Sequence, residues 1–377
     1  MNQTIKNQLI QLWQAGVNAV SGKQAVIQAF KNHPDFQPDL IIAVGKAASG
    51  MCLGALDAIS APCPAIVVTK YHHTDPQLSA KPDVEIIESA HPVPDENSLL
   101  GGKTILQAVS QMSENSKLLL LVSGGASALS ECLPEETGLQ DLQKITNEML
   151  ASGQSIAAIN AKRKALSQIK DGKLLAQFKG LEALVFAISD VEGDDIQVIG
   201  SGTGDSRLIN HKAQSQIIAS NKIARDAVCA AAQTLNLPVN LNQETLYDDV
   251  FSIAPKIADA LTTGQPGVYL WGGEPTIQLP ANPGNGGRNQ SLALAVAKEI
   301  QGKNNIHLLV AGTDGTDGPT DAAGGIINGQ TFLINSQQAE RDLQNANAGA
   351  YLRETDSIFI SGPTNTNVMD LAIAIIE

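Results

Sequence analysis

Short apolar segments alternate with longer helical patterns along most of the chain. The apolar segments are mostly continuous, as is typical of strands covered on both faces of a sheet. They span residues 40–44, 65–69, 84–88, 118–122, 183–189, 267–271, 307–311 and 357–361. Patterns with a helical period lie between them, at residues 96–112, 139–151, 221–235, 245–261 and 288–300. This β–α alternation predicts an α/β fold with mainly parallel sheets.

A polar, proline-containing stretch at residues 236–245 follows a long alanine-rich helical pattern. The chain has 377 residues, and a domain typically takes roughly 150. We therefore predict two α/β domains that divide near this stretch, one over residues 1–240 and a smaller one over residues 241–377.

Gly-rich polar turns follow six of the predicted strands, in both halves of the chain. They read GKAASG, SGGAS, DVEGDD, GGEPT, GTDGTDGPTD and GPTNTN. In open α/β sheets, ligands bind beyond the carboxyl ends of the strands. If the two domains face each other, these turns can line one cleft, and we expect the active site there.

Composition narrows the class of protein. The formal charge is −13 and the longest basic run is Lys162–Lys164, which disfavours nucleic-acid binding because phosphate affinity needs concentrated Lys and Arg. No apolar run approaches the roughly 18 residues of a membrane span, and the first residues show no secretory signal. The four cysteines form no C-x-x-C pair, which fits a reducing cytoplasm. We expect a cytoplasmic protein of small-molecule chemistry, with no membrane and no nucleic-acid partner.

Two basic residues stand where a helix is expected to begin. Lys46 directly follows the predicted strand 40–44, and Arg288 follows the glycines of GNGG. The helix dipole penalises a cation at a helix N-terminus, so an anionic ligand would explain both positions. The planar fork of Arg288 suits a phosphate or a carboxylate. A solvated or salt-bridged Lys46 is the alternative.

The segment SGGAS places two adjacent glycines after a buried strand. Backbone N–H groups at such a turn can hold phosphate oxygens, although a plain glycine turn also explains the pattern. The candidate phosphate-binding residues are Ser123, Gly124, Gly125 and Ser127.

Two familiar nucleotide-binding motifs are missing. GGKT at residues 101–104 is not a Walker A loop, because Asn97 stands where the first glycine is required. The dinucleotide motif G-x-G-x-x-G is absent after residues 40–44, which weighs against a nicotinamide enzyme.

Acidic residues cluster in two of the turns. Asp190 follows the strand 183–189, where a carboxylate can hold Mg²⁺ or accept a hydroxyl proton, or can cap the next helix. Asp314 and Asp317 are further candidate Mg²⁺ ligands, because this ion usually takes one or two protein carboxylates. Asp321 is expected to cap the segment that follows it.

The last Gly-rich turn, SGPTNTN, precedes what we predict to be the final helix. Its hydroxyl and amide side chains include Thr364 and Asn365. An N-cap explains one such side chain but not several in a row. We therefore include Thr364 and Asn365 among the candidate substrate-binding residues.

Taken together, these ordered motifs resemble the class II glycerate 2-kinases, whose C-terminal half is a MOFRL-type domain. The first half carries AVGKAASGM, ESAHPVPDENS, LVSGGASALSECLPEETGL and SDVEGDD. The second half carries GGEPTI, GNGGRNQSLALA, AGTDGTDGPTDAAGG and SGPTNTNVMDL. The resemblance covers nearly the whole chain. It implies a Rossmann-like N-terminal domain, a smaller MOFRL-type C-terminal domain, and an active-site cleft between them.

The resemblance also implies an activity: ATP-dependent phosphorylation of D-glycerate to 2-phospho-D-glycerate, with Mg²⁺. Matched motif by motif, it implies that Lys46 and Arg288 are the catalytic cations and that Asp190 is the acidic residue of the site. Glu274 of GGEPTI and Asn289 of GNGGRNQ join the predicted substrate- and phosphate-binding residues.

The chain departs from the family pattern at a few positions. Ala126 stands where the family usually has a third glycine, and Ser291 where it usually has Glu. Three alternatives to the main interpretation are a hydroxypyruvate reductase, a kinase of a related sugar acid, and a non-catalytic protein that senses glycerate or a nucleotide. The expected assembly is a monomer or a homodimer.

Overall fold

The computed structural model describes residues 2–144, 161, 164–209 and 212–377. The chain folds into two compact units. The N-terminal unit consists of Val20–Ser220 and Asn365–Asn367. The C-terminal unit is built from three stretches, which are Met1–Ala19, Asn221–Thr364 and Val368–Glu377.

The division differs from the boundary that we predicted near residue 240. The polar stretch taken as a linker forms the strand Val239–Leu246, an edge strand whose polar residues alternate between partly buried and exposed positions. One solvated face explains its polarity. The helix before it, Asn221–Thr234, and the first helix of the chain, Gln3–Ala19, also belong to the C-terminal unit.

The α/β fold class is confirmed, with the following elements in the described residues. The strands are β1 Leu40–Val44, β2 Ala65–Lys70, β3 Val84–Ser89, β4 Lys117–Val122, β5 Glu182–Ile188, β6 Ala213–Ala219, β7 Val239–Leu246, β8 Gly267–Gly273, β9 Ile306–Gly312, β10 Gly324–Asn328, β11 Ile358–Phe359 and β12 Asp370–Ile376. The main helices are Gln3–Ala19, Gly22–Phe30, Ala48–Ala58, Glu96–Ser110, Asn221–Thr234, Val250–Thr262, Arg288–Glu299, Ser336–Gln344 and Ala348–Glu354. Shorter helices lie at Pro76–Ser79, Ala126–Leu129 and Lys173–Ala176.

The predicted helix at residues 139–151 lies only partly within the described residues. Residues 139–144 are helical, and the remainder falls outside the described part of the chain. None of the helices in the described ranges is long and apolar enough to cross a membrane.

The sheet of the N-terminal unit has six strands in the order β3-β2-β1-β4-β5-β6, and every neighbouring pair is parallel. This is the strand order of Rossmann-like folds, in which the chain direction across the sheet reverses between β1 and β4. The apolar residues of β1 and β4 are buried except for the partly exposed Leu40, since both strands lie at the centre of the sheet. Ligands bind at the carboxyl ends of strands at such a reversal point.

The C-terminal unit has a mixed sheet in the order β11-β10-β9-β12-β8-β7. Strand β12 lies antiparallel between β8 and β9, with Asp370 opposite both Gly273 and Gly312. The amino end of β12 therefore meets the carboxyl ends of β8 and β9 at one edge of the sheet. We predicted a final helix here; the seven residues of β12 are instead all buried, and an unbroken apolar run does not distinguish the two structures.

Candidate active site

In the N-terminal unit, the turns after β1 and β4 hold each other in place. The Lys46 backbone N–H donates to the Gly124 carbonyl at 2.9 Å, and the Ser123 N–H donates to the Val44 carbonyl at 2.9 Å. Gly45, with φ of 127°, leaves no room for a side chain, because a Cβ there would lie 2.2 Å from Ser123 Oγ. These contacts hold the two turns in fixed positions at the reversal point of the sheet.

Ser123 takes part in these contacts between the two turns. Its side chain is 1 % exposed, and its Oγ accepts a hydrogen bond from the Ala47 N–H at 3.1 Å. We predicted a phosphate-binding role for Ser123. In the structure, its hydroxyl instead links the turn after β4 to the start of the helix Ala48–Ala58.

Gly124 and Gly125 fit the predicted anion-binding turn better. Within the described residues, neither N–H group donates a hydrogen bond to the protein. Gly125 is in the left-handed region, with φ of 83°, and a Cβ there would come within 3.1 Å of the His91 ring and 3.2 Å of Lys46. The Ser127 hydroxyl lies 2.8 Å from the hydroxyl of Ser201.

Asp190 follows β5 and reaches the same turn. A Cβ on Gly124 would lie only 2.0 Å from Asp190 Oδ2, so the absent side chain of Gly124 is what admits the carboxylate. Burial raises the pKa of Asp190, and the positive charge of Lys46 opposes this shift. The alternative role as a helix cap has no support, because neither of the short helices at Glu192–Asp194 and Ile199–Ser201 has a side-chain cap.

Lys46 is partly buried beside Asp190. In the part of the chain that the structure describes, its ammonium group forms neither an ion pair nor a hydrogen bond. Its charge also acts on His73, which follows β2; burial lowers the pKa of His73, and Lys70 and Lys46 lower it further. The N-terminal unit thus holds a cation with no ion pair among the described residues, next to a desolvated carboxylate.

His91, which the sequence analysis did not single out, follows β3 and lies against Gly125. The parallel order of the sheet was the signal that could have found it, because residues after successive parallel strands share one edge.

In the C-terminal unit, Arg288 begins the helix Arg288–Glu299 and is held by two carboxylates. Its Nε donates to Asp370 Oδ2 at 2.7 Å, and its Nη2 lies 3.0 Å from Glu274 Oε1. Burial opposes the charged form of Arg288, but these neighbouring acids outweigh it and raise the pKa of the guanidinium above its usual range. The protein itself therefore supplies anions that we expected only from a ligand.

Asp370, which the sequence analysis did not single out, anchors this arrangement. Its other oxygen, Oδ1, accepts from Asn289 Nδ2 at 2.9 Å. Burial raises the pKa of Asp370, and its ion pair with Arg288 opposes the shift. Asn289 is fully buried, so the substrate-binding role predicted for it is not supported. Its side chain contacts Asp370 instead.

Asp317 caps the same helix. Its Oδ1 accepts from the Asn289 N–H at 3.0 Å, and its Oδ2 accepts from the Gln290 N–H at 2.8 Å. Gly287 makes room for the carboxylate, because a Cβ there would lie 2.2 Å from Asp317 Cγ. Burial raises the pKa of Asp317 to about 6, while these backbone donors lower it. The prediction of Asp317 as a metal ligand is therefore not supported, since both its oxygens serve the helix.

The other residues of these turns have different surroundings. Asp314 is partly buried, and its Oδ1 accepts from the Thr316 N–H and hydroxyl. Asp321 pairs with Arg353 at the surface rather than capping the next segment. The Thr364 hydroxyl donates to the Thr313 carbonyl at 2.6 Å. Asn365 is exposed, with φ of 59°.

The carboxylates fit Mg²⁺ only in part. No group of three or more His, Cys, Asp or Glu side chains that could hold a metal ion occurs among the described residues. Asp317 and Asp370 are occupied by the contacts given above. Asp190 and the second oxygen of Asp314 keep acceptor capacity, and Mg²⁺ bound to a nucleotide needs only one or two protein carboxylates.

Each unit thus presents a basic side chain and carboxylates at one edge of an α/β sheet, which is the chemistry of an enzyme that acts on small anions. Residues 8–236 match the model of a domain of unknown function (DUF4147), and residues 267–370 match that of the MOFRL family. The chain is 33% identical to a D-glycerate 2-kinase of Thermotoga maritima, with 99% of each chain covered.

Two further comparisons extend this result. A crystal structure of glycerate kinase from Thermotoga maritima superposes with a TM-score of 0.89 at 31% identity, covering 100% of both chains. A putative hydroxypyruvate reductase of Agrobacterium vitis is 32% identical over 89% of this chain and 99% of its own. The chain belongs to the MOFRL-type class II glycerate 2-kinase family, as its motifs predicted, and is an enzyme of the kinase class.

Proposed function

We propose that the protein transfers the γ-phosphoryl group of ATP to the 2-hydroxyl of D-glycerate, giving 2-phospho-D-glycerate and ADP. The observation that carries the proposal is the proximity of Asp190 and Lys46 at the reversal point of the N-terminal sheet. A desolvated carboxylate is a stronger proton acceptor than a solvated one, and a cation that forms no ion pair among the described residues can receive an anionic substrate.

Asp190 has the chemistry of the base in this reaction. The 2-hydroxyl oxygen forms a bond to the γ-phosphorus while the bond from that phosphorus to the β–γ bridging oxygen breaks. The hydroxyl proton passes to Asp190, and the bridging oxygen leaves with ADP. Burial raises the pKa of Asp190, which favours this transfer near neutral pH.

Phosphoryl transfer depends mainly on positioning and on neutralising charge. Among the described residues, Lys46 and the N–H groups of Gly124 and Gly125 have no hydrogen-bond partner, so they can bind phosphate or carboxylate oxygens, with Ser127 beside them. Arg288 supplies the second cation, and Glu274, Thr364 and Asn365 border the ligand. We propose that the protein acts as a cytoplasmic monomer or homodimer.

Mg²⁺ is the expected partner of ATP in this reaction. When bound to the nucleotide, it neutralises phosphate charge. Asp190 in the N-terminal unit or Asp314 in the C-terminal unit would hold it, because each carboxylate keeps acceptor capacity.

A hydroxypyruvate reductase is the second candidate, because two of the similar proteins carry that name. The turn after β1 argues against it. The position of the second glycine of a dinucleotide motif holds Ala47, whose N–H already donates to Ser123 Oγ. That glycine normally lets the backbone approach a pyrophosphate, and this approach is blocked here.

Phosphorus NMR of the product tests the proposal. The enzyme is incubated with ATP, Mg²⁺ and D-glycerate, with Asp190→Asn as the matched inactive variant. We expect the resonance of the 2-phosphate together with ADP. A 3-phosphate resonance would reassign the attacked hydroxyl, and no ADP release would end the kinase proposal for this substrate. Steady NADH oxidation with hydroxypyruvate would favour the reductase instead.

A further inference from the structure

Asp370 is buried at the amino end of β12, and its two oxygens contact two side chains of one helix turn. Oδ2 accepts from Arg288 Nε at 2.7 Å, and Oδ1 accepts from Asn289 Nδ2 at 2.9 Å. We propose that Asp370 is a positioning residue, which holds the Arg288 guanidinium at its Nε atom and so directs its terminal nitrogens towards the substrate. The effect on turnover rests on the proposed function, whereas the binding test below does not.

The two carboxylates on Arg288 are not equivalent. Asp370 is buried and contacts Nε, whereas Glu274 is about half exposed and contacts Nη2. An exposed ion pair contributes little and exchanges with solvent and ligands. A buried carboxylate that also accepts from a buried amide has one fixed place. Asp370 is therefore the anchor, and Glu274 is the partner that an anionic substrate can replace.

The backbone around Asp370 is itself held from three sides. The residue lies opposite Gly273 and Gly312 in the sheet, and its carbonyl accepts from Asn221 Nδ2 at 3.1 Å. Asn221 is fully buried, and its Oδ1 accepts from Arg225 Nε at 2.9 Å. This support leaves Asp370 no alternative position, so the guanidinium that it binds is fixed in turn.

The Asp370→Asn variant separates positioning from folding. Asn289 Oδ1 is buried without a hydrogen-bond partner among the described residues. A flip of the Asn289 amide therefore lets this oxygen accept from the amide nitrogen that the substitution introduces, while the charge-assisted hydrogen bond that fixes Arg288 becomes a weaker, neutral one. We expect a melting temperature near that of the wild type, a kcat lower by roughly 10- to 100-fold, and a smaller change in KM. An unchanged kcat would refute the proposal.

Guanidinium rescue gives a second test that a merely structural residue would not pass. In Arg288→Ala, millimolar guanidinium chloride is expected to bind beside Asp370 and to restore part of the activity. In Arg288→Ala with Asp370→Asn, both binding and rescue should disappear. The matched control is Arg288→Ala with Asp321→Asn, which removes a surface carboxylate of the same unit and should leave both unchanged.

Guanidinium binding is measured by calorimetry, so it does not depend on which acid is phosphorylated. If guanidinium binds only when Asp370 is intact but no acid is turned over, the positioning site stands and the proposed function fails. Equal binding to Arg288→Ala with and without Asp370→Asn would overturn the positioning role, whatever the substrate.

Discussion

Each unit has a cation near the start of a helix, but the two cations differ in their anionic partners. Lys46 in the N-terminal unit has no anionic partner within contact distance among the described residues, although its charge lowers the pKa of the nearby Asp190. Arg288 in the C-terminal unit is held by Asp370 and Glu274, and its helix is capped by Asp317. The difference indicates that the N-terminal edge is open for a ligand, while the C-terminal edge is preorganised by the protein.

Replacing Lys46 by Ala should give the largest effect on function. The loss of one charge that binds the transferring group typically costs about 10²- to 10³-fold in turnover. Stability should hardly change, because the ammonium group has no protein contact to lose within the described residues. The measurement is kcat/KM together with the melting temperature. Lys23→Ala, which removes only a surface ion pair with Asp57, is the control; equal activities would exclude Lys46 from the site.

The Asp317 cap predicts a pH dependence of stability in the C-terminal unit. Burial raises the folded-state pKa from 3.8 to about 6, so the folded protein holds this proton more tightly than the unfolded chain does. The resulting stabilisation is fully present below about pH 4 and is lost as the pH rises through 6. Two pKa units correspond to about 3 kcal/mol.

Urea unfolding of the wild type and of Asp317→Asn, from pH 4 to 7, isolates this contribution. Asn keeps a side-chain oxygen for the helix but does not titrate. The wild-type free energy of unfolding minus that of the variant should fall with rising pH. A difference that stays constant would mean that the cap is charged throughout this range.

Two glycine substitutions have the smallest expected effects, and they distinguish the role of Asp190 in one unit from that of Asp317 in the other. In Gly124→Ala the new Cβ would displace Asp190, and in Gly287→Ala it would displace Asp317. We expect the first to lower kcat by about 10-fold with little loss of stability. The second should destabilise by about 1–2 kcal/mol through the lost helix cap. Reversed outcomes would exchange the roles of the two carboxylates.

The central strands of the fold were predictable from the sequence because they are continuous apolar runs. Strands β1, β2, β4 and β5 lie within a residue or so of their predicted positions, and so do the turns that carry Lys46 and Asp190. Strands β6 and β7 were not predicted, because polar residues on their partly solvated faces interrupt the apolar pattern.

The Arg288 site was the harder part to predict, for a topological reason. Asp370 comes 82 residues after Arg288, in a segment whose apolar run fits a strand or a helix equally well. Its partnership depends on β12 inserting between β8 and β9, which no local pattern encodes. Asp317 was recognised as unusual, but its helix-capping role depends on the same long-range packing.

The first helix of the chain has a consequence for biosynthesis. Gln3–Ala19 belongs to the C-terminal unit, where Trp13 packs edge-on against Phe359 with ring centroids 5.0 Å apart. During translation this helix is made before the rest of its unit, and the whole of Val20–Ser220 is synthesised between them. The N-terminal unit is thus inserted within the other, and cutting the gene at the apparent boundary would separate this helix from the core that it completes.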